Sequence, residues 1–95
     1  MRILNYKPFS DALSAYPEQK SVLTAAFNFI SSVEIQSSAD LLKLFPSASM
    51  KDSEKIWELE LLAGKLFLYA KIYFHTGIFI PVLITAGHTN FQETQ

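Results

Sequence analysis

The chain has 95 residues, 49% of them apolar and 18% charged, with a formal net charge of −1 and no cysteine. That length supports one hydrophobic core, so a single domain over 1–95 is expected, and the composition is far from that of a disordered chain. Lack of cysteine excludes a disulfide framework and a thiolate zinc site, and two histidines make a poor metal set. The near-neutral balance leaves no whole-molecule field for nucleic acid or an anionic membrane, so any such binding must come from local patches.

In chain order, MRILNYKPFSDAL has no apolar run after Arg2 and no small-residue cleavage pattern, so no secretory signal is expected and a cytoplasmic location fits. Ile3, Leu4 and Tyr6 predict a short first strand before Pro8, a residue suited to the first turn of a helix. Phe9, Leu13 and Tyr16 recur at helical spacing, and Pro17 ends that helix and begins a second. Within the second, Val22, Ala25, Ala26, Phe29 and Ile30 predict the packing stripe. Ser38 is placed to cap a short helical turn carrying Leu41, Leu42 and Leu44, and the polar run PSASMKDSEK reads as a mobile loop.

From Ile56 the periodicity becomes two. Trp57, Leu59 and Leu61 alternate with Ile56, Glu58 and Glu60, Ala63-Gly64-Lys65 supplies a turn, and 66–74 forms a long aromatic and aliphatic strand. His75-Thr76-Gly77 turns the chain again into a strand over 78–86, where Pro81 requires an edge position, a bulge, or an N–H side that faces outward. Lys71, His75 and Gly77 break 66–87 into runs too short to span a bilayer, so no membrane contact is expected. The predicted class is α+β: a short N-terminal strand, two helices, then a C-terminal antiparallel β-meander with the helices packed on one face.

The strand over 66–74 separates two kinds of surface. Leu66, Leu68, Ala70, Ile72 and Phe74 suit a core, whereas Phe67, Tyr69, Lys71, Tyr73 and His75 interleave rings with cations on the other side. Such a face has the residue types that single-stranded nucleic acid requires, rings to stack bases and cations to meet phosphates. The alternative is a two-sided sheet whose aromatics reflect strand propensity and are covered by something else.

The order of elements, together with IWELELLAGK, KIYFHTG and FIPVLITAGHTN, resembles the RelE/ParE toxin superfamily of bacterial toxin–antitoxin systems, including its HigB-like and phage-encoded branches. The resemblance covers nearly the whole chain. It implies an antitoxin partner, no cofactor, and in many members cleavage of messenger RNA in the ribosomal A site by attack of a ribose 2′-OH on the adjacent phosphate. That reaction needs a proton acceptor, a proton donor and cations for the developing charge. His88, at a position where the family keeps a basic or histidine residue, takes the acid–base role on this reading, since an imidazole titrates near neutrality. Lys71 and Tyr73 complete the catalytic set, and Phe67, Tyr69, Lys65 and His75 contact RNA or a partner. Two departures weigh against cleavage: Glu60 stands where the family often has arginine, and Ala70 about where it commonly has another. They leave open a non-enzymatic interaction domain, whether a gyrase-directed ParE-like toxin or a degenerate family member that binds a protein through its aromatic face. A homodimer formed through the 78–86 strand is a third arrangement. The segment Lys51-Asp52-Ser53-Glu54-Lys55 reads most simply as solvated and self-compensating.

Overall fold

The three alternating runs form β3 (Ile56–Leu62), β4 (Leu66–Tyr73) and β5 (Ile78–Thr85), antiparallel neighbours in the computed structural model, which describes residues 1–51 and 56–87. Both hairpin turns place a glycine in the left-handed region, Gly64 at φ +66° and Gly77 at φ +71°, where a Cβ is costly. The Lys65 N–H donates to the Leu62 carbonyl at 2.8 Å, and the Gly77 N–H to the Tyr73 carbonyl at 3.0 Å. Pro81 meets the requirement set by its missing N–H: the β4–β5 register shifts so that Tyr69 faces Leu83 and Ala70 faces Pro81, leaving Val82 bulged.

The first strand, β1 (Arg2–Ile3), docks parallel to β5, with Arg2 opposite Ile78 and Ile3 opposite Phe79. Asn5 then turns the chain at φ +77°, a conformation asparagine tolerates, and its side-chain oxygen accepts from the Lys7 N–H at 3.3 Å. This turn aims the chain into α1 (Lys7–Ala15), with proline in its first turn as expected. A 3₁₀ turn at Pro17–Gln19 leads into α2 (Lys20–Ser32), and α3 (Ser38–Leu44) follows. The cap of α3 is Ser37, one residue before the expected Ser38, with its Oγ accepting from the Asp40 N–H at 3.2 Å.

Two expectations are corrected here. The polar run expected as a loop contains a strand, β2 (Ser49–Lys51), which sets Ser49, Met50 and Lys51 opposite Glu58, Trp57 and Ile56 of β3. Backbone pairing to a long neighbour suffices to order it despite its polar side chains; residues 52–55 lie outside the described residues. On α2 the inward stripe is Leu23, Ala26, Phe27 and Ile30, while Ala25 and Phe29 face outward. The apolar arc of the helix is wide, from Ala25 and Phe29 through Val22, Ala26 and Ile30 to Leu23 and Phe27, so the choice of its inward half falls to packing. Phe27 is selected because its ring meets Phe9 edge-on at 5.3 Å and Tyr6 at 5.2 Å.

The sheet order is β1-β5-β4-β3-β2. On one face, Trp57, Leu59, Leu66, Leu68, Ala70, Phe79 and Ile84 form a single core with Phe9, Ala12, Leu23, Ile30 and Leu41 of the helices. The class is therefore α+β with the helices on one side of the meander. Among the described residues, no helix is long and apolar enough to cross a membrane.

Candidate functional site

The register fixes what stands on the face away from the helical core. Residues opposite each other in a ladder share a face, so this face carries three rows: Glu60, Phe67 and Thr85; then Ser49, Glu58, Tyr69 and Leu83; then Lys51, Ile56, Lys71 and Ile80. A fourth row, Arg2, Ile78 and Tyr73, ends the sheet.

The expectation of an open aromatic face is corrected in the first two rows. Phe67 and Tyr69 are only 3% and 0% exposed and cluster with Ile56, apart from the helical core. Three large apolar groups adjoin there on neighbouring strands, and the Tyr69 hydroxyl among them is satisfied. The Tyr69 hydroxyl donates to Glu58 Oε2 at 2.6 Å, and the Lys51 ammonium lies 3.7 Å from Glu58 Oε1. A carboxylate in such a setting must be compensated, and here a phenol and a cation from flanking strands do so. Glu60 is likewise engaged, accepting from the Ser47 hydroxyl at 3.0 Å and the Gly64 N–H at 2.6 Å. The Glu58 and Glu60 carboxylates thus serve the sheet and its turn. Lys51, expected in a solvated run, belongs to that arrangement.

The lower rows differ. Tyr73 is 50% exposed, Lys71 is half-buried and His75 is exposed in the turn. All three line one groove of about 700 Å³ whose floor includes Trp57, Ile72 and Phe74. Lys71 and Tyr73 are two residues apart on β4, roughly 7 Å along a strand. The groove opens on the side of Trp57 and Phe74, whereas the Lys71 and Tyr73 rows belong to the opposite face, which thus carries an ammonium and a phenol ahead of the His75 turn, groups able to offset charge and move protons. Lys65 is not part of it: its turn is at the other end of β4, eight residues or roughly 26 Å from Tyr73. His88 lies outside the described residues.

Ala70 changes meaning in the structure. It is fully buried in the helical core, in one row with Trp57 and Pro81, so a cation there would be buried among apolar groups, while Lys71, the next residue, stands on the opposite face. Sequence reasoning missed Arg2, Gln36 and the role of Glu58. Only the possible pairing of SMK with IWE could have signalled the Lys51–Glu58 contact. A scan against protein-family models finds no match, and a search among curated proteins finds none either.

Proposed function

We propose that the chain is the toxin-like partner of a toxin–antitoxin pair and that it acts on RNA from the open end of its sheet. The observation that carries this reading is the succession of Lys71 and exposed Tyr73 on the sheet face away from the helices, with His75 exposed in the turn that follows. In this reading Lys71 offsets the charge that develops on the phosphate, while Tyr73 and His88 handle the protons of 2′-OH attack and leaving-group release. The element order that resembles RelE/ParE proteins supports it, as does the engagement of Glu58 and Glu60 in internal bonds, which lessens the repulsion those carboxylates would exert.

Burial of Phe67 and Tyr69 favours a second reading, an interaction domain without catalysis, because it removes two rings from the surface expected to stack bases. Self-association through β5 is less well supported: Pro81 and the Val82 bulge both make that edge a poor template for a further strand.

Induced expression of the chain alone tests the reading. Growth arrest relieved by a co-expressed antitoxin is expected, with cleavage of ribosome-bound messenger RNA that falls by about a hundredfold or more in Lys71→Ala and His88→Ala, the scale of a lost acid–base group. Unimpaired growth would contradict it. Arrest that persists unchanged in both variants, without cleavage, would favour the interaction domain.

A further inference from the structure

The helices cover one face of the sheet, yet Ile56, Phe67 and Tyr69 are buried on the other, in a cluster that no residue of α1, α2 or α3 joins. Side chains stand roughly perpendicular to a sheet, so neighbours in a row screen the flanks of a ring and leave its tip open. Burial as complete as that of Tyr69 therefore requires a second layer, packed about 10 Å from the first. That layer is narrow. Leu83, in the Tyr69 row but on β5, is 37% exposed, and Tyr73, further along β4, is exposed as well. The cover thus lies over β3 and the first half of β4, the width of a single segment of chain.

Two stretches of the chain lie outside the described residues, 52–55 and 88–95. The first, Asp52-Ser53-Glu54-Lys55, has no apolar side chain to set on a ring. It is also tied at both ends to the Lys51–Ile56 pair, and Glu60, which faces Phe67, is four residues or roughly 13 Å further along β3. The second begins just past Thr85, which stands opposite Phe67. Eight residues reach about 26 Å when extended, the length of β4. A chain that turns at Gly87 and runs back over the face passes Phe67 first, then Tyr69, then Lys71. The sequence HTNFQETQ suits that course: its one large apolar residue is Phe91, and Glu93 follows two residues later, as Lys71 follows Tyr69.

We propose that residues 88–95 fold back across the sheet as an intrachain strap, with the Phe91 ring on Phe67 and Tyr69 and the Glu93 carboxylate toward Lys71. The strap withholds the two rings from any guest while it is in place, and it gives the molecule a second, smaller core. This inference goes beyond the functional reading above and holds whether or not the chain acts on RNA.

A spin label tests it in the full chain. Because the sequence has no cysteine, a nitroxide attached to Gln92→Cys is the single label. In protein that carries 3-fluorotyrosine, the Tyr69 fluorine should broaden strongly, while that of Tyr6, packed against Phe9 and Phe27 on the helical side, stays sharp. Phe91→Ala should then open the Tyr69 fluorine to a soluble paramagnetic chelate, and Phe91→Leu, which keeps an apolar group on the rings, should leave it protected. Far-UV circular dichroism checks that both variants keep the fold; if Phe91→Ala does not, the nitroxide measurement decides alone. A sharp Tyr69 resonance beside the label, or protection unchanged in a folded Phe91→Ala, would overturn the proposal. So would broadening that appears only when labelled and fluorinated chains are mixed, since the cover would then come from a second copy.

Discussion

The two halves of β4 share one alternation and meet different fates. Phe67 and Tyr69 are sealed with Ile56 around the Glu58 carboxylate, while Tyr73 and His75, on the same strand face or its continuation, stay open beside a groove. Aromatic content does not separate them, since each half contributes a tyrosine. Neighbours do: Tyr69 has Glu58 directly opposite to satisfy its hydroxyl, whereas Tyr73 is next to Ile78 and Arg2 at the sheet's end. A polar partner in register lets a ring be buried, and its absence in register leaves the hydroxyl to solvent or a ligand.

Substitutions can break or sharpen that contrast. The largest effect is expected from Tyr69→Ala, which empties a fully buried site and should cost about 3–5 kcal/mol in urea unfolding. A loss below about 1 kcal/mol, within the range of surface changes, would mean that the upper half is open. Glu58→Ala leaves the Tyr69 hydroxyl without its acceptor and should cost about 1–3 kcal/mol. Glu58→Gln keeps an acceptor and should cost less; a larger loss than for alanine would point to a different bonding pattern. Next comes Gly64→Ala, at about 1–2 kcal/mol by thermal unfolding. Nothing lies within 4 Å of the added Cβ, so the cost is one of backbone conformation alone. Tyr73→Ala is expected to be smallest in stability, within about 0.5 kcal/mol, while weakening ligand binding. If it destabilised as much as Tyr69→Ala, the two halves would be alike.

Much of the fold was legible because a few residues left little choice. Gly64 and Gly77 marked both hairpin turns, the bulge beside Pro81 was among the alternatives its missing N–H allowed, and alternation from Ile56 onward gave three strands within one residue at their ends. Other features depend on contacts that one segment cannot encode. β2 exists because Ser49–Lys51 finds β3, and polar residues with a nearby proline hide such a strand. The inward face of α2 was read in part: Val22, Ala26 and Ile30 pack against the core as expected, but Leu23 and Phe27, at the other edge of a wide apolar arc, turn inward in place of Ala25 and Phe29.

The site was legible in part. Lys71, Tyr73 and His75 were read from one strand, and Lys71 and Tyr73 do share one sheet face just ahead of the His75 turn, since residues two apart on a strand remain neighbours in space. Lys65 was drawn from the same segment but lies a full strand length away. Closure over Phe67 and Tyr69 was not readable, because it depends on Glu58 and Ile56 arriving in register from β3. Arg2 enters only through the parallel docking of β1 onto β5, a pairing between the two ends of the described chain.

Fluorine NMR of the 3-fluorotyrosine protein with a soluble paramagnetic chelate addresses the division of β4 most directly, with resonances assigned from Tyr69→Phe and Tyr73→Phe. The fluorine on Tyr69 should keep its linewidth as chelate is added while that on Tyr73 broadens strongly. Comparable broadening of both would contradict the account.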